Sequence, residues 1–131
     1  MTDKQKYIDH WKNQATEDWK GADLLFAGKH YSLALFISHL VIEKICKALW
    51  IRDNVSDTPP KTHNLLYLLS KTRVFIPENI GLLIHDANRF QIEGRYEEYR
   101  LEIESLITEE FASQNFNSFK IIFTWIIKEL E

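Results

Sequence analysis

Cysteine, glycine and proline are scarce in this 131-residue chain, and each scarcity excludes something. Cys46 is the only cysteine, so neither an intrachain disulfide nor a cysteine zinc cluster can form, and a reducing compartment fits. Four glycines and three prolines supply few tight turns, which argues against a many-stranded β fold. The longest uncharged stretch, His30 to Ile42, is too short to span a bilayer, and the first residues lack a signal-peptide pattern. The expected location is therefore cytoplasmic. Sixteen Lys and Arg against nineteen Asp and Glu give a net charge of −3, which rules out a uniformly basic nucleic-acid coat but leaves room for a local basic patch. What is abundant is Leu, Ile, Lys and Glu in a chain that is 45% apolar and 27% charged. This predicts one all-helical domain over residues 1–131, long enough to bury roughly two-thirds of its unfolded surface without a disulfide or metal staple.

Charge is unevenly placed. From Glu43 to Arg73 six bases (Lys44, Lys47, Arg52, Lys61, Lys71, Arg73) face three acids, whereas Glu93 to Glu110 carries seven acids against two arginines. Apolar periodicity places the elements. Tyr7, Ile8, Trp11, Ala15, Trp19, Ala22, Leu25 and Phe26 recur at mostly three- and four-residue steps, predicting an amphipathic helix from Thr2 or Asp3 to near Gly28. The segment from Tyr31 to about Asp53 is apolar on nearly every side and belongs at the centre of a bundle. Pro59 and Pro60 interrupt helix formation, so Asn54 to Lys61 reads as a linker. Thr62 is expected to cap a short helix through Ser70, and Pro77 to open another running to about Ile92, with Gly94 as terminator. Arg95 to Ile107 reads as a mostly irregular loop. Thr108, followed by Glu109 and Glu110, then caps a last helix with Phe111, Asn115, Phe116, Phe119, Ile122, Phe123, Ile126 and Leu130 on one face. Ile121 and Trp125 form a second apolar line on that helix, from which a symmetric homodimer is expected.

Three groups of residues could carry chemistry. His39, Glu43 and Lys47 stand at successive four-residue steps on the central helix. They are either a polar stripe lining a ligand cleft, with His39 as acid or base, or an internal Glu43–Lys47 pair beside a hydrogen-bonded histidine. Lys61, Thr62, His63 and Asn64 sit at a predicted helix start, where free amides and the positive dipole end can receive an anion. Arg95 and Tyr96, with Arg89 and Arg100 nearby, could hold a base or phosphate, or tie a loop to neighbouring acids. The five histidines are widely separated and none forms a helical pair, so neither a metal site nor a cofactor is expected. Cys46 on an apolar helix reads as packing rather than as a nucleophile.

The run ALFISHLVIEKICKALW from Ala34 to Trp50, then Pro59-Pro60-Lys61-Thr62-His63-Asn64-Leu65, then Arg95-Tyr96, resembles the HEPN domain family, the higher-eukaryote and prokaryote nucleotide-binding domain. The first helix, with Trp11, Trp19, Ala22 and Phe26, is similar too. The resemblance implies an antiparallel up-and-down bundle of four to five helices, usually a homodimer. It also implies, in many members, a minimal nucleotidyltransferase partner in a two-component or toxin-antitoxin-like pair. Ribonuclease members carry an R-x4–6-H motif, and here no arginine is followed by a histidine at that spacing. The sequence therefore falls with the branch lacking it. The expected function is a non-catalytic module binding a nucleotide or RNA phosphate through Lys47, Lys61, His63, Arg95 and Tyr96, with His39 and Glu43 behind them. The alternative is a divergent metal-independent ribonuclease using His63 or His39 with Arg95.

Overall fold

A computed structural model describes residues 2–91 and 107–131, and the order of elements follows from caps and apolar spacing. Helix α1 (Asp3–Ala27) starts where the Thr2 hydroxyl accepts the Gln5 amide at 3.1 Å. Its fully enclosed seam is Ile8, Ala15 and Ala22, one residue every two turns, and the two alanines allow close approach of the next helix. The chain then reverses within three residues. Gly28 closes α1 with a φ of −82°, and the left-handed position falls instead on Lys29 at φ 66°. A Cβ on Gly28 would meet the His30 ring at 3.2 Å, so close approach accounts for the glycine.

Helix α2 (Tyr31–Asp53) runs back along α1 and also contacts α3 (Leu65–Ser70), the 3₁₀ turn Asn88–Phe90 and the last helix, α5 (Glu109–Leu130). Thirteen of its 23 residues are buried, which makes it the axis of the bundle. Helix α4 (Glu78–Ala87) packs on α3 and α5. Among the described residues there are five α-helices and no strand. Aromatic rings bridge α1 and α5: Trp19 and Phe26 stack on Phe116 with centroids 5.0 and 4.5 Å apart, and Trp19 also stacks on Phe123.

The expected bundle is the observed one, with local differences. The short helix begins at Leu65, capped by Asn64, whose Oδ1 accepts the Tyr67 amide at 3.1 Å; Thr62 instead accepts the Asn64 amide and shapes the preceding turn. The linker therefore extends to Asn64. Helix α4 stops at Ala87 and tightens into the 3₁₀ turn, because Phe90 must turn inward to meet Phe36, Phe119 and Phe111. Tyr7, expected on the apolar face of α1, is 48% exposed, and Ala112 joins the buried face of α5. The predicted stop at Gly94 and the predicted loop over residues 95–106 lie outside the described residues.

Phe90 is fully enclosed where α2, the 3₁₀ turn and α5 meet. Phe90→Ala is expected to lower unfolding free energy by about 3–5 kcal/mol. Phe90→Leu should lose clearly less. Urea denaturation of the three proteins checks both.

Candidate functional site

The axis helix carries two buried polar side chains on one face, His39 and Glu43, each 2% exposed. Four-residue spacing stacks them, and burial on all sides leaves them no water to turn to. Glu43 finds its partner outside α2. His63, in the last turn of the linker, brings Nδ1 into ion-pair contact with Glu43 Oε1. The His63 side chain remains 33% exposed, so its ring joins the interior to the surface.

Asn88 completes this node. It lies beside His39, and its Oδ1 accepts the Leu65 amide at 3.4 Å, bringing α2, the start of α3 and the 3₁₀ turn together. Desolvation carries the His39 pKa from the ordinary 6.5 down to about 4, against the opposing effect of the Asn88 side chain. Electrostatic repulsion from the His63 side chain adds to the lowering, and a hydrogen bond with the His63 backbone opposes it. His39 is thus neutral at physiological pH. A ring of this proton affinity is poorly matched to transfer near pH 7.

The other expected ligand residues are placed differently. Lys47 does not pair with Glu43; its Nζ lies over the Trp11 ring of α1, 5.0 Å from the centroid. Lys61 is exposed on the linker and makes no ion pair or hydrogen bond with the described residues. Arg95 and Tyr96 lie outside the described residues. Most other bases of the basic segment are engaged in the scaffold. Lys44 pairs with Asp18 at 2.6 Å, and Arg52 and Arg73 both grip Asp53. Arg89 reaches Asn115 Oδ1 at 3.0 Å and lies over Phe111. Among the described residues no three His, Cys, Asp or Glu side chains are placed to hold a metal ion, and no helix is long and apolar enough to cross a membrane.

The node therefore unites three of the residues expected from sequence, His39, Glu43 and His63, and adds Asn88. Nothing in the sequence marks Asn88, because its role depends on the helix tightening at Ala87. The same residues that build this node lie within a family-wide match: the sequence profile of the HEPN domain covers residues 8–130. The chain belongs to the HEPN domain family. Its fold is also similar to the crystal structure of an archaeal HEPN homologue, at 24% identity and a TM-score of 0.67, over 95% of this chain and 98% of that one. None of the curated proteins matches this HEPN chain significantly in sequence.

Burial of neutral His39 has a measurable consequence. Unfolding releases the ring to a pKa of 6.5, so between pH 6.5 and 4 the unfolded state binds more protons and stability falls with pH. The contribution is complete above pH 6.5 and is lost on the way down to about pH 4, amounting to about 3 kcal/mol at most. Denaturation curves across that window should show wild type losing stability more steeply than His39→Gln, in which the titrating ring is gone. Parallel slopes for the two proteins would contradict the assignment.

Proposed function

We propose that this HEPN chain is a non-catalytic module that binds a nucleotide or RNA phosphate and assembles with other chains. The observation carrying this reading is the division of labour at the node. Glu43 anchors His63, burial keeps His39 neutral, and Lys61 stands exposed two residues from His63 with no ion pair or hydrogen bond to the described residues. A phosphate at this linker meets the Lys61 ammonium and the exposed part of His63. Lys47, Arg95 and Tyr96 complete the proposed ligand set, while His39 and Glu43 hold His63 in place. Charge-assisted hydrogen bonds of this kind contribute about 1.5–3 kcal/mol each.

The absence of an R-x4–6-H spacing supports binding over cleavage, because that spacing lets one rigid element present both groups to a scissile phosphate. The alternative, a divergent ribonuclease, would rely on His63 or His39 with Arg95. The assembly half of the proposal comprises a homodimer and a minimal nucleotidyltransferase partner in a toxin-antitoxin-like pair, acting in the cytoplasm.

Calorimetric titration with AMP, ATP and a 5′-phosphorylated oligouridylate is expected to show binding that weakens with salt. Lys61→Ala and Arg95→Ala should each reduce affinity about tenfold or more. Transfer RNA and generic single-stranded RNA should stay intact with or without magnesium. RNA cleavage that survives purification and disappears in His63→Ala would establish the ribonuclease reading instead.

A further inference from the structure

Helix α5 changes character along its length. Glu109 and Glu110 open it and Glu129 and Glu131 close it, but residues 111–128 contain no acid at all, in a protein of net charge −3. On this stretch lies a groove of about 470 Å³, walled by Ile80 of α4 and by Lys120, Ile121, Thr124, Trp125 and Lys128 of α5. Its floor is apolar, and Ile121 is 41% exposed. Asn117 also lines it, and Lys120 and Lys128 are both exposed and without an ion-pair or hydrogen-bond partner among the described residues. At 1.5 Å per residue they are roughly 12 Å apart along the helix, a little over two turns.

We infer that this groove docks an acidic amphipathic helix of a partner protein. Such a helix would lay aliphatic side chains at three- and four-residue steps over Ile80, Ile121 and Trp125 and set Asp or Glu against Lys120 and Lys128. Charge argues against a second copy as the occupant. Two α5 helices packed antiparallel about a two-fold axis near Thr124 set Lys120 of each against Lys128 of the other, and a symmetric contact cannot relieve that repulsion. Single-stranded RNA is disfavoured as well. Its bases need a wide aromatic face, whereas Trp125 is partly buried against the core and the exposed floor residue, Ile121, is aliphatic. The inference rests on the partner-docking part of the proposed function, moves the expected homodimer contact off Ile121 and Trp125, and shares no residue with the phosphate site, so each fails separately.

The test uses the full chain and a displayed library of helical peptides with randomised surface positions. Recovered binders should be enriched in Asp and Glu flanking an aliphatic stripe. They should shift the amide resonances of Ile121 and Thr124, and lose at least tenfold in affinity against Lys120→Glu/Lys128→Glu, with Lys120→Gln/Lys128→Gln losing less. Because both lysines are exposed, circular dichroism should show these variants folded. AMP binding should be unchanged in both. The inference is overturned if no peptide is recovered, if binders lack the acidic bias, or if they bind the Glu variant equally. It is also overturned if oligouridylate displaces them from the groove, or if sedimentation shows a self-association that the Glu variant dissolves.

Discussion

A carboxylate enclosed at 2% exposure in the axis of a helical bundle must be neutralised or paired, and Glu43 is that carboxylate. Left alone in the interior it would cost several kcal/mol, a large part of the stability of a domain this size. Its partner, His63, comes from a segment twenty residues further along, beyond Pro59 and Pro60. The path of the linker is therefore constrained at its far end by the ion pair. That in turn decides where α3 can begin, because the turn delivering His63 must finish before the helix starts. The Thr62 hydroxyl and the Asn64 cap are the local chemistry of that finish.

The near end of the linker is held just as firmly, by groups from four parts of the chain. Lys4 of α1 donates to the Ile51 and Asn54 carbonyls at 2.8 and 2.7 Å and pairs with Asp57 at 3.0 Å, acting as a cationic cap on the C-terminus of α2. Arg52 reaches back to the Glu129 carbonyl at the end of α5 and forward to Asp53. Asp53 also receives the Arg73 amide at 2.8 Å. Burial alone would raise the Asp53 pKa, but hydrogen bonds from Arg52 and from the Arg73 backbone and side chain bring it down to about 2. A linker fixed at both ends presents Lys61 and His63 from a defined place.

These two anchors also explain how far the sequence could be read. Helices α1, α2 and α5 were legible because their signals are local: Thr2 and Thr108 cap α1 and α5, apolar residues run through all three, and their observed bounds match the expected ones. The start of α3 was not, since Thr62 and Asn64 are both competent caps and only the position of His63 chooses between them. The end of α4 was misplaced because the ring contacts of Phe90 lie on α2 and α5, remote in sequence. The site was half legible. Helical spacing put His39 and Glu43 on one face, but it equally invited a Glu43–Lys47 pair, which lost to the deeper contact with His63 and to the Trp11 ring. Asn88 left no trace, being an ordinary polar residue whose partners come from other elements.

The same accounting changes the meaning of the basic segment. Its surplus of three positive charges looked like a ligand surface, yet Lys44, Arg52 and Arg73 lie against acids of the scaffold, and Lys47 and Lys71 lie over aromatic rings. Net charge along a chain measures what must be neutralised, whether by a ligand or by the fold itself. Among the described residues the cationic side chains without an ion pair or hydrogen bond include Lys61 on the linker and Lys120 and Lys128 on the acid-free stretch of α5, besides Lys6, Lys12 and Lys29 nearer the N-terminus. Proton transfer asks for a group poised near neutrality, and the one histidine whose burial fixes its titration is held far from it, at about 4. The interior of this bundle thus fixes the path of the linker, and Lys61 stands exposed on it.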